Sequence, residues 1–169
     1  MKSIKVQKLT RENFHKFGSF ANFIDPLSEP ATGPKDAVLA FFRDMLQVDL
    51  GGAVPSFSTC RIMPRPMVIT DAEYHNFTSE AAMPLDQDAI FWCAPANASQ
   101  EFPADDVEAF LVPKGTMIML RPGVICGSHK STVTCTYYNY VIVAHKLLLF
   151  NFLPFIIYPF LTIVNIVYT

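Results

Sequence analysis

Val107-Glu108-Ala109-Phe110-Leu111-Val112-Pro113-Lys114-Gly115-Thr116-Met117-Ile118-Met119-Leu120 holds two apolar runs of strand length around a tight-turn signal. Pro113-Lys114-Gly115 is that signal, because proline presets φ and glycine admits the positive φ that a sharp reversal needs. The same pattern repeats outward. Residues 89–93 form another compact apolar run, and residues 57–62 and 67–69 read as strands, the second running on toward Tyr74. Pro64 and Pro66 separate these two, as expected where proline is confined to strand ends. Residues 38–42 and 45–48 also read as short β stretches, and residues 26–34, with three prolines and a glycine, as a loop. Residues 4–9 make a first strand. Thr10 is a good N-cap for one short helix over 11–17, with Gly18 placed to end it. Many short strands with a single early helix predict an all-β barrel or sandwich.

At 169 residues the chain has room for one domain with a real core. A net charge of −2 and the lack of any basic stripe or arginine cluster give no sign of a nucleic-acid partner. Cys60, Cys93, Cys126 and Cys135 show no paired spacing and read as reduced thiols of a cytoplasmic protein. The N-terminus has basic residues but no apolar run of signal-peptide length.

The composition breaks toward the C-terminus. Residues 109–169 contain no Asp or Glu, and from Ser131 onward the text is rich in Tyr, Phe, Leu, Ile and Asn. Residues 147–169 carry no charge and reach the length of about 20 residues that a membrane helix needs. Pro154, Pro159, Asn151 and Asn165 interrupt that stretch. Three readings stand: a membrane anchor, translation of sequence foreign to the natural end of the gene, or buried strands that complete the barrel. The domain division that follows is residues 4–128 as the body and 129–169 as an atypical apolar tail.

Glu73-Tyr74-His75, with Glu80 five residues beyond and then Asp86, is the sharpest cluster of chemistry-bearing side chains. Residues two apart on a strand share a face, so Glu73 and His75 point the same way. Inside a barrel, a carboxylate beside an imidazole can bind a divalent metal ion or act as acid and base. At a strand end the same residues would be a surface ion pair. Arg61 is the best candidate to grip a substrate carboxylate, ahead of Arg65, because a guanidinium can hold both carboxylate oxygens. The competing reading of Arg61 is a strand-end salt bridge.

These residues fit a cupin pattern, H-x-H followed by E and later a P-G turn, with Glu73 in place of the first histidine. In more detail the chain resembles the ureidoglycolate lyase family of cupins over about residues 4–124. The opening Leu9-Thr10-Arg11 through Phe14 to Phe17-Gly18 matches that family's "PLT-x-x-x-F-x-x-(F/Y)-G" start. Phe57-Ser58-Thr59-Cys60-Arg61 matches its strand ending in arginine, and Glu73-Tyr74-His75 its "E-x-H". Glu80-Ala81-Ala82-Met83-Pro84-Leu85 matches "(Q/E)-A-F-(I/M)-P-(L/M)". Residues 107–112 and Pro122-Gly123-Val124 match its later strand and its "P-G-V-W-H" turn.

The resemblance implies a cupin-type double-stranded β-helix barrel and a dimeric lyase of purine catabolism and allantoin degradation. Such an enzyme splits ureidoglycolate into urea and glyoxylate. It implies catalytic roles for His75, Glu73 and Glu80, which are also the candidate ligands of a divalent metal, and substrate binding by Arg61. Two departures accompany it. Ile125-Cys126 stands where the family has Trp-His, and the apolar tail stands where further barrel strands are expected. An impaired lyase, a non-catalytic cupin binding a small carboxylate, and a cupin tethered to a membrane through 147–169 are the three functional expectations.

Overall fold

The computed structural model describes residues 2–70, 72–98, 102–130, 138–145 and 164–167. Their elements are β1 (Lys2–Lys8), α1 (Arg11–Phe14), β2 (Gly18–Asn22), β3 (Pro55–Ile62), β4 (Val68–Ile69), β5 (Glu80–Pro84) and β6 (Ala89–Ala94). There follow β7 (Glu108–Val112), β8 (Thr116–Leu120), β9 (Ile125–Lys130), β10 (Tyr138–His145) and β11 (Val164–Val167). They make two sheets, one of order β4-β11-β1-β7-β6-β9 and one of order β2-β8-β5-β10-β3. Pro113-Lys114-Gly115 carries the chain from the first sheet to the second, with Gly115 at φ +73°. The expected all-β, cupin-type barrel is what the chain forms.

The interior lies between the sheets. Phe91 and Cys93 of β6, Phe110 and Val112 of β7, Ile118 and Leu120 of β8, and Ala82 of β5 meet there. One end is closed by Phe14 and Phe17 around α1, whose rings stand edge-on or tilted against Phe110 at centroid distances of 5.3 and 5.7 Å. A second apolar layer covers the other face of the larger sheet, built from Ile4, Ile69, Ile90, Trp92, Ala109, Ile125 and Ile166. Strand β6 is therefore buried on both faces. This accounts for the unbroken apolar run at its sequence, where a half-exposed strand would alternate.

Several expectations change. The helix is one turn, started by a capping box in which Thr10 and Asn13 each bond the other's backbone N–H. It closes early because Phe17 bonds back to the carbonyl of Phe14, three residues away. Residues 38–42 and 45–48 form no strand. Val38 and Leu39 are exposed, and Phe41 meets Thr32 in an isolated bridge instead of joining a sheet, so these apolar side chains gain no burial from pairing. The barrel also continues past Val124. β9 lines β6, and β10 lies between β5 and β3 in a register running from Tyr138↔Ile62 to His145↔Pro55. β11 pairs in parallel with β1 and buries Ile166. The proposed membrane span at 147–169 lies outside the described residues except for β11, which is a strand. Among the described residues no helix is long and apolar enough to cross a membrane.

Gly18 opens β2 rather than ending a helix with positive φ. A Cβ there would sit 1.7 Å from the backbone oxygen of Met119 on the neighbouring β8. Gly18→Ala should therefore push β2 off β8 and cost about 3 kcal/mol, the upper range for overpacking. Guanidinium unfolding of the variant checks this, and a loss below about 1 kcal/mol would show that the two strands separate freely.

Candidate active site

Glu73 and His75 lie not on a regular strand but on a short extended segment stitched to the free edge of β9. Glu73 N–H donates to the Cys126 carbonyl at 3.3 Å, and Cys126 N–H donates to the Glu73 carbonyl at 2.9 Å. Gly123 N–H donates to the His75 carbonyl at 2.7 Å. The turn before β9 makes that last bond possible. Pro122 and Gly123 occupy its centre, Gly123 has φ +82°, and Val124 N–H returns to the Arg121 carbonyl. These are the marks of a type II turn, in which the third residue needs positive φ. The two halves of the sequence motif are thus hydrogen-bonded to each other.

This stitching gathers four side chains. His75 Nε2 lies 3.4 Å from Glu80 Oε2, with His75 6% and Glu80 9% exposed in their side chains. Glu80 is the first residue of β5. Cys126 Sγ donates to the same Glu80 oxygen at 3.8 Å. Glu73, half-buried, completes a group in which one donor atom each from Glu73, Glu80 and Cys126 lies within 4.8 Å of the others. Cys126 was absent from the expected site residues. Its signal was available, because it occupies the position where the family pattern has a histidine.

Burial lowers the pKa of His75, but the hydrogen bond and charge of Glu80 together with the charge of Glu73 outweigh it, so the net shift is upward from 6.5. The opposite holds for the thiol. Burial, and then the charges of Glu80 and Glu73, push Cys126 well above the ordinary cysteine value, so it stands as a neutral S–H. The arrangement sets an imidazole whose protonated form is favoured beside two carboxylates, so that one group can give a proton and another receive one.

Arg61 is not brought to this cluster. Its neighbours Cys60 and Ile62 pack against the barrel interior, so the pleat turns Arg61 outward, where its Nε donates to Asn139 Oδ1 at 2.9 Å. Asp86 also faces away, accepting from the backbone and side-chain N–H groups of Asn139. A cavity of about 570 Å³ lies elsewhere, lined by residues including Arg11, Phe20, Glu29, Lys35 and Thr116, and shares no residue with the cluster.

The family model for ureidoglycolate lyase matches residues 1–149. No curated protein matches the sequence. Among solved structures, RmlC from Streptococcus suis in complex with dTDP-D-xylose is 9% identical, with 77% of this chain and 72% of that one covered and a TM-score of 0.43. Two mutants of the Bacillus subtilis oxalate decarboxylase OxdC are 8% and 9% identical, each at a TM-score of 0.41. They match over 72% and 83% of this chain but only 34% and 36% of theirs. At these values the likeness carries no functional weight.

A raised histidine pKa fixes the sign of a pH effect. The His75–Glu80 pair stabilises the fold fully below the free-histidine value of 6.5 and loses that contribution as pH rises through the elevated value in the fold. The amplitude is about 1.4 kcal/mol per unit of elevation. Unfolding free energies of the wild type minus His75→Gln, taken from pH 5.5 to 9, should fall with rising pH. A difference that grows with pH would contradict the ion pair.

Proposed function

The chain belongs to the ureidoglycolate lyase family, and we propose that it releases urea and glyoxylate from ureidoglycolate, with His75 and Glu73 moving the protons. What supports this reading is the buried contact of His75 with Glu80 beside Glu73, at the place where the family pattern has its E-x-H.

One carbon of the substrate bears a hydroxyl, a carboxylate and the ureido nitrogen. Cleavage takes the hydroxyl proton to a base, turns that oxygen into a carbonyl, breaks the C–N bond and delivers a proton to the departing nitrogen. Glu73 is the more accessible carboxylate and serves as the base. His75, whose protonated form its carboxylate neighbours favour, serves as the acid. Glu80 is a positioning residue: it fixes the imidazole through Nε2 and stays hydrogen-bonded to the Cys126 thiol. Glu73, Glu80 and Cys126, the last once its thiol gives up the proton, fit a divalent ion, since two carboxylates and a sulfur within 4.8 Å of one another can converge on one centre. Such an ion, when bound, would supply Lewis-acid polarisation of a substrate oxygen.

Cys126 in place of histidine removes one proton-carrying group, which lowers the activity without abolishing it. A cytoplasmic setting within purine catabolism and a homodimer belong to the same reading. The free thiols of Cys60, Cys93 and Cys126 fit the first. The exposed Phe57 and Met63, on and beside edge strand β3, fit the second.

Incubation with ureidoglycolate should release urea and glyoxylate in equal amounts. His75→Gln and Glu73→Gln should each lower kcat by about 10²- to 10⁴-fold, the usual range for a lost acid or base, with the circular dichroism of a folded β protein retained. Folded variants with unchanged turnover would remove those residues from the reaction. A wild-type protein that binds glyoxylate without turning over ureidoglycolate would make it a non-catalytic binder of small carboxylates.

A further inference from the structure

We propose that Arg65 is the residue that holds the substrate carboxylate, an inference that rests on the lyase reading above. Two carboxylates against one imidazole leave the cluster net negative whether or not His75 carries a proton, and it would repel an anionic substrate unless a cation stands beside it. Four arginines have partners that show where their guanidinium groups go. Arg61 is turned outward to Asn139. Arg121 reaches the His15 carbonyl at 2.5 Å, toward the exposed side of α1. Arg11 is paired with Glu29. Arg65 meets β9, the strand that carries Cys126, with its Nη2 donating to the Ser128 carbonyl at 2.6 Å.

The position of that bond follows from the ladder. Cys126 exchanges both backbone hydrogen bonds with Glu73, so its N–H and C=O point to the free edge of β9. Ser128, two residues on, points its carbonyl to the same edge. Arg65 therefore meets the same edge as Glu73, at a carbonyl one two-residue repeat of about 7 Å further along β9. That spacing suits a small substrate lying between them, its reacting carbon near Glu73 and His75 and its carboxylate toward the guanidinium. A guanidinium has five N–H donors in a planar fork, and the Ser128 carbonyl uses one.

The two products separate carboxylate recognition from bracing of β9, because glyoxylate carries the carboxylate and urea does not. Arg65→Ala should raise KM for ureidoglycolate and the inhibition constant for glyoxylate by about ten- to a hundredfold, as expected for a lost charge-assisted contact. The inhibition constant for urea and kcat should stay within about twofold. Arg65→Lys should recover part of the glyoxylate affinity. Equal weakening toward urea and glyoxylate would reduce Arg65 to a strand brace, and no change toward either would remove it from the site. If the wild type shows no turnover, the lyase reading fails on its own account. Calorimetry with glyoxylate on the wild type and Arg65→Ala then decides the inference, and equal binding, or binding by neither, overturns it.

Discussion

The hydrogen bonds that tie Glu73 and His75 to residues 123–126 govern the rest of the site. Cys126 and Glu73 exchange two backbone bonds, and Gly123 caps the carbonyl of His75. Without them the segment between β4 and β5 would be a loop over the barrel mouth, and its imidazole would find water more readily than Glu80. With them, the backbone entropy of the segment is already lost in folding, and the side chains are brought together in a setting where charges act strongly on one another. A turn that needs glycine, an edge strand and an extended segment thus combine to bury an ion pair that surface residues would form only weakly.

Glu80 depends on a different part of the molecule. It opens β5, which is flanked by β8 and by β10. Through these contacts a strand from the compositionally odd C-terminal region holds β5, and with it the carboxylate that fixes His75. β11 acts on the other side of the larger sheet, where Ile166 joins Trp92, Ile90 and Ile4. The apolar composition of these segments has a local use at Val143 of β10 and Ile166 of β11, which are buried in the two sheets. Trp92 also sets the sequence of β9: a Cβ at Gly127 would come within 2.5 Å of its ring.

Much of this was readable from the residues. The runs at 89–93, 107–112 and 116–120 match β6, β7 and β8 to within one residue at either end, because burial on one or both faces writes apolar residues at strand spacing. The pairing of His75 with Glu80 followed from a motif whose halves lie close along the chain. What the sequence could not supply was long-range partnership. Residues 38–42 have strand-like composition but join no sheet, and residues 138–145 pair with β3 and β5 despite lying beyond the compositional break. Arg61 shows a different failure. The alternation Cys60, Arg61, Ile62 already placed the arginine opposite two apolar neighbours, and that parity outweighs its position at the end of a matching motif.

Cys126 brings these lines together. At the family's histidine position the chain presents a thiol that burial and two carboxylates hold neutral. A histidine there could take up a proton and offset part of the negative charge of Glu73 and Glu80, whereas a neutral S–H offsets none. His75 is consequently the only one of the four gathered side chains that can become a counter-charge, and the hydrogen bond and charge of Glu80 with the charge of Glu73 raise its pKa in spite of burial. The same imbalance makes the cluster a poor host for an anionic substrate on its own. A carboxylate substrate therefore depends on a cation beyond the four, and the geometry of the β9 edge determines where that cation can stand.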